Sequence, residues 1–133
     1  MASERLVDDP SITNASELWR RVNPKWIVPD ENTGNVRVSS AAFDNSPDGS
    51  PTSVLLADVV RETGRTARDV IAGFAGFALS SITAGEARSC RQGVARDPLP
   101  NEPAHAHLFG QKTKAVKRCL AQHAKWVVEP AGP

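Results

Sequence analysis

Tyrosine is absent from this 133-residue chain, and other aromatic side chains are few: four Phe and three Trp. A core of this composition must rest on Ala, Val, Leu and Ile. It also leaves no aromatic platform of the kind on which single-stranded nucleic acid stacks. Cysteine is nearly absent as well. Cys90 and Cys119 alone make no disulfide framework, so both are expected as free thiols in a reducing, cytoplasmic setting. No stretch approaches the roughly 20 apolar residues that a membrane span needs. The opening segment MASERLVDDPSITNASE carries acids and no apolar run, so neither a signal peptide nor membrane association is expected.

The familiar catalytic and cofactor signatures are missing too. There is no G-x-S-x-G nucleophile elbow, no G-x-G-x-x-G, no C-x-x-C and no complete phosphate loop. No cofactor is therefore expected. Net charge is only +1, but it is unevenly spread. Residues 1–60 hold nine acids and five bases, residues 61–133 six acids and eleven bases. A basic half can meet phosphate or an acidic partner. With near-neutral total charge and no reading motif, tight duplex nucleic-acid binding is not expected.

What is present is one domain's worth of chain with one modest core. Residues 1–13 read as a flexible N-terminal arm, 14–129 as a single compact domain and 130–133 as a C-terminal tail. LWRRV within 14–22 fits a short helix or a strand. PDENTGN (29–35) and DNSPDGSPT (44–52) are turns by composition. VRVSSAAF (36–43) alternates as a strand, and SVLLADVV (53–60) is an apolar strand or a helix. Thr66 with Asp69 and Thr83 with Glu86 form capping patterns, predicting helices over VIAGF and AGEARSCRQ. Between them, GFAGFALSSI is a loop leading into a buried strand. GVARD (93–97) and AHAHLF (104–109) read as strands. Thr113 caps a helix from about Lys114 to Ala124, and KWVV (125–128) is a last strand. The elements mix without a βαβ rhythm. The fold class is α+β, a small mixed sheet with about three helices packed on it.

The residues with most chemistry lie in PAHAHLFGQKTK (103–114). On a strand, His105 and His107 share one face, while Ala104, Ala106 and Leu108 take the other and must face the core. Two adjacent imidazoles can bind a metal or exchange protons on a phosphate, with Asp97 placed to orient one of them. These three are the candidate catalytic residues. H-x-H followed after an eleven-residue gap by C-x-x-x-H (Cys119, His123) has zinc-type ligands. The spacing matches no standard zinc module, so no metal is assigned. Candidate ligand-binding residues are Arg37 and Ser39, on one face of a strand, with Lys112 and Thr113 before a helix N-terminus that favours an anion.

The strings LWRRVNPKWIVPDENTGNVRVSSAAF, GFALSSITAGEAR and QGVARDPLPNEPAHAHLFG resemble a group of short, uncharacterised bacterial proteins. That resemblance implies a bacterial origin and a free-standing small protein, and it carries no site residues. A fainter similarity is to small NAD-cleaving or ADP-ribosyl-transferring toxins, whose Arg, Ser and Glu would fall at Arg20, Ser39 and Glu86. Two functional expectations follow. One is a non-catalytic bacterial partner protein, a component of a defence or toxin–antitoxin type operon, that docks on another protein. The alternative is a small enzyme or ligand-binding domain acting on a phosphate-bearing, nucleotide or nucleic-acid substrate through a His/Arg/Lys site.

Overall fold

A computed structural model describes residues 6–130. The outer ends of the expected arm and tail, 1–5 and 131–133, lie outside the described residues. The chain runs β1 (Glu17–Val22), β2 (Ile27–Pro29), β3 (Val36–Val38), β4 (Thr52–Leu56), α1 (Ala57–Glu62), α2 (Ala67–Ile71), β5 (Ala78–Thr83), α3 (Ala84–Ser89), β6 (Gly93–Arg96), β7 (His105–Phe109), α4 (Lys114–His123) and β8 (Lys125–Val128). Short 3-10 turns occupy Pro24–Trp26 and Ser40–Phe43.

The fold is α+β, as expected. Its large sheet has six strands in the order β6-β7-β4-β1-β5-β8, and β2 with β3 forms a separate ribbon. Every pairing is antiparallel, so the sheet itself is not mixed, and four helices rather than three are found among the described residues. None of these helices is long and apolar enough to cross a membrane.

Local chemistry explains the elements. Thr66 and Thr83 each accept a hydrogen bond from the backbone N–H three residues on, and the Asp69 and Glu86 carboxylates each accept one from the cap N–H. Both capping boxes are thus complete, and α3 starts at Ala84 as its box predicts. The ambiguous LWRRV is strand. SVLLADVV is strand and then helix: it turns at Leu56, which has no side-chain cap to announce the change. VRVSSAAF is strand only to Val38. Ser39 then caps a 3-10 turn by accepting from the Ala41 N–H, which ends the extended run.

The pleat sorts the large sheet into two faces. On one, Leu18, Val22, Val54, Leu56, Val94, Ala106 and Leu108 pack with Phe43, Ala84, Ala87 and Leu120 in the main core. On the other, Trp19, Leu55 and Leu79 meet Val60 and Val70 from α1 and α2. The segment before β1 is no loose arm where it is described. Ile12 is 1% exposed within the main core, and Asp8 accepts from the Val94 N–H at 2.8 Å and pairs with Arg88 at 3.0 Å. An apolar side chain and a paired carboxylate dock residues 8–12 that composition alone marks as polar.

The two cysteines require a second correction. Cys90 at the end of α3 and Cys119 on α4 are joined in a disulfide, with Cα atoms 5.8 Å apart. The expectation of free thiols counted cysteines but could not see that α3 and α4 pack side by side.

Candidate functional site

β7 presents His105 and His107 on the face opposite Ala106 and Leu108, which are fully buried. Alternation settles the strand: Leu108 pairs with Thr52 and Ala106 with Val54 of β4, so the apolar set has one core to enter. The same register sets His107 opposite Ser53 on β4 and opposite Ala95 on β6. Asp97 follows β6 directly. Its backbone N–H donates to the His105 carbonyl at 2.9 Å, which holds it beside the imidazoles. The neighbouring loop is clamped by Arg65, whose two Nη atoms meet the Glu102 carboxylate at 2.8 and 2.6 Å.

One carboxylate oxygen of Asp97 serves both rings. It lies 3.1 Å from His105 Nδ1 and 3.0 Å from His107 Nε2. His105 Nδ1 is also 3.0 Å from the Asp97 carbonyl oxygen, and its Nε2 is 3.1 Å from Ser53 Oγ. The carbonyl acceptor at Nδ1, with the carboxylate close by, places the proton of the neutral ring there and leaves the lone pair at Nε2, facing the Ser53 hydroxyl. The Asp97 carbonyl, His105 and Ser53 therefore form one line of hydrogen bonds, with the Asp97 carboxylate beside the imidazole to favour its charged form, an arrangement that lets an imidazole take a proton. His107 turns Nε2 toward the same oxygen, and its buried Nδ1 has no partner among the described residues. The imidazoles stand edge to face, 5.1 Å between centroids.

Arg20 lies next to this line. It sits on β1 in phase with Leu18 and Val22, a position that alternation assigns to the core. β1 pairs with β4 at only two positions, Leu18 with Leu56 and Trp19 with Leu55, and the strands then part. The Arg20 side chain fills the gap. Its Nε donates to the Ala42 carbonyl and its Nη1 to the Ser53 carbonyl, both at 2.9 Å, and the guanidinium lies 5.2 Å from the Trp26 ring centre. No carboxylate pairs with it among the described residues. Desolvation, with the neighbouring Arg21 adding to it, pushes its pKa down to about 10. A cavity of about 170 Å³ opens in the gap, lined from both sheet faces by Trp19, Arg20, Trp26, Ser53, Phe77 and His105 among others.

The remaining candidates fall elsewhere or have local work. Lys112 donates to the Leu108 carbonyl at 3.1 Å, and burial, opposed by Asp44 and reinforced by Arg20, lowers its pKa to about 8. It is close enough to Arg20 for the two charges to feel each other. Thr113 caps α4, accepting from the Val116 N–H at 3.1 Å. Arg37 lines a separate, larger cavity of about 670 Å³ with Asp30, Lys125, Trp126 and Glu129, away from the imidazoles. Ser39 is occupied as the cap of its 3-10 turn, and Glu86 serves the α3 capping box and lies 3.2 Å from His123. Of the Arg, Ser and Glu set suggested by the toxin similarity, only Arg20 reaches the cavity.

Among the described residues, metal-type ligands fall into two groups, Asp97 with His105 and His107, and Cys90 with Cys119 and His123. The H-x-H and C-x-x-x-H pairs thus do not converge on one ion. Sequence reasoning missed Ser53 altogether. It also missed the in-phase placement of Arg20 between Leu18 and Val22, a signal in the residues themselves that marks this arginine as buried. Comparison with known proteins finds no matching family model, no matching curated protein and no matching solved structure.

Proposed function

We propose that the protein is a small enzyme acting on a phosphate-bearing ligand, with a phosphoryl group seated against Arg20 and His105 exchanging the proton. One observation carries this reading: Arg20 is a largely buried cation whose protein partners are carbonyl oxygens, and it lines the same cavity as an oriented imidazole. A buried charge without a counter-charge is costly, and an anion entering the gap would offset it. The cavity is below the roughly 300–1,000 Å³ usual for whole small molecules, so it suits one phosphate group with the rest of the ligand outside. Trp26 and Phe77 at its wall offer apolar surface to that remainder.

The roles follow from position. His105 Nε2 takes a proton from the Ser53 hydroxyl, or from a water or ligand hydroxyl in its place. Asp97 holds the ring and stabilises the imidazolium as it forms. Arg20 balances phosphate charge, and Lys112 adds to the positive field. The partner-protein expectation does not account for a cation buried beside such a line.

The test is a panel of inorganic phosphate, nucleoside phosphates and phosphodiesters, followed by thermal shift, calorimetry and product analysis. At least one compound should bind and turn over. His105→Gln should lower turnover about 10²–10⁴-fold without unfolding the chain. Arg20→Gln should weaken binding more than about tenfold, since a hydrogen bond to charge is worth about 1.5–3 kcal/mol. Silence across the panel would discard the reading. Loss of turnover on chelation, restored by a divalent ion, would recast Asp97, His105 and His107 as metal ligands.

A further inference from the structure

We propose that Cys90, Cys119 and His123 bind a divalent metal ion of zinc type when the disulfide is reduced, so that α3 and α4 are clamped by one of two exchangeable links. The two sulfurs and a ring nitrogen of His123 lie within 4.8 Å of one another, a spacing that one ion can span. Two thiolates and an imidazole are a common zinc set, with Zn–S near about 2.3 Å and Zn–N near about 2.0 Å. Nothing about this place belongs to the phosphate site. The cluster sits on the helices packed against the opposite face of the sheet from His105 and His107.

The surroundings are arranged as a metal-binding imidazole needs. His123 Nδ1 lies 3.2 Å from Glu86 Oε2, while Glu86 Oε1 accepts from the Thr83 N–H at 2.9 Å. The capping box therefore fixes the carboxylate, and the carboxylate fixes the ring. With Nδ1 facing the Glu86 carboxylate, the proton of the neutral ring is favoured there and the lone pair is left on Nε2. Carboxylate partners of this kind orient and strengthen metal-bound histidines. Cys90 is 3% exposed, whereas Cys119 is partly buried and the His123 side chain is 39% exposed, so the site is closed at Cys90 and open toward solvent at His123. A water can complete four-fold coordination there. Two thiolates also neutralise the charge of the ion, so the half-buried position carries no net charge.

The exchange balances. A dithiol reductant gives two electrons and two protons to the Cys90–Cys119 bond, which becomes two thiols while the reductant closes to its own disulfide. The ion then displaces two protons, and both sulfurs bind as thiolates. Oxidation by a small-molecule disulfide reverses this: the sulfurs rejoin, two thiols of the oxidant are released and the ion leaves. A disulfide is uncommon in reducing compartments, and there the metal form would take its place.

Cobalt(II) is the probe, because thiolate-to-cobalt charge transfer reports sulfur ligation and cannot arise at Asp97, His105 and His107. The full chain, reduced with a phosphine and freed of metal, should take up one equivalent of cobalt with a near-ultraviolet charge-transfer band that zinc then bleaches. The oxidised chain should show no band. His123→Ala should form the disulfide normally, by intact mass, yet bind cobalt at least about tenfold more weakly when reduced. If reduction alone loosens the fold, cobalt should restore it by circular dichroism. A reduced, wild-type chain without the band overturns the proposal, as does an unchanged affinity in His123→Ala.

Discussion

The two faces of the large sheet differ in what they bury. On the face under α3 and α4, Leu18, Val22, Leu56, Ala106 and Leu108 meet Phe43 and Leu120, with the uncharged Thr52 and Ser80 buried among them. On the other, Ser53, His105, His107 and Arg21 share the surface with Trp19, Leu55 and Leu79, and α1 and α2 supply Val60 and Val70. The pleat alone makes this division, because neighbours on one strand point to opposite sides. Stability is concentrated on the first face and polar chemistry on the second. Arg20 is the exception: a charge on the apolar side, reaching the polar one through a gap between strands.

Substitutions should separate the faces. The largest effect is expected for Phe43→Ala, which empties a fully buried aromatic position and should cost about 3–5 kcal/mol in urea unfolding. His105→Gln on the second face should shift that midpoint far less, although on the proposed reading it removes turnover. Equal losses from both would break the division. Next in size is the disulfide. It closes a loop with a sequence separation of 29, so reduction in metal-free buffer should remove about 3–4 kcal/mol on the chain-entropy account. An unchanged midpoint would show that packing alone holds α3 to α4.

Lys112 sharpens the comparison through pH. Its pKa falls from 10.5 to about 8 on folding, so between those values the unfolded chain binds more protons than the folded one. Stability should therefore rise from about pH 8 toward 10.5. No phenol confuses that window, since the chain lacks tyrosine, and the paired cysteines do not titrate. Lys112→Met should flatten the rise, and a profile unaffected by the substitution would place the cost elsewhere. The smallest effect is expected for Thr83→Ala, which opens the α3 cap and should cost on the order of 1 kcal/mol. If cobalt affinity of the reduced chain falls with it, the capping box also serves His123 through Glu86.

Much of this fold was legible residue by residue. AHAHLF alternates, and its strand follows; Thr66 and Thr83 stand three before an acid, and their helices follow. Local signals failed where the local pattern had no punctuation. Leu56 ends a strand and begins a helix with no Gly, Pro or side-chain cap, so SVLLADVV could not be divided. Ser39 reads as a strand residue until its cap is seen. The site was legible in part. Asp97, His105 and His107 are near one another in sequence and converge in space. Ser53 comes from 52 residues earlier, and nothing in its own neighbourhood says that β4 lies beside β7. The disulfide was hidden for the same reason: helix packing, not cysteine number, joins Cys90 to Cys119.

The short seam between β1 and β4 has a mechanical consequence. β1 holds β5 through six residue pairs but β4 through two, so the sheet consists of two three-stranded leaves, β6-β7-β4 and β1-β5-β8. Compliance concentrates where the fewest backbone bonds oppose separation. Thermal breathing should open the molecule along this line first, with the Arg20 guanidinium acting as a stitch across it. Amide hydrogens that β4 turns toward the seam before Leu55, over Thr52–Val54, should exchange ahead of those that β1 shares with β5.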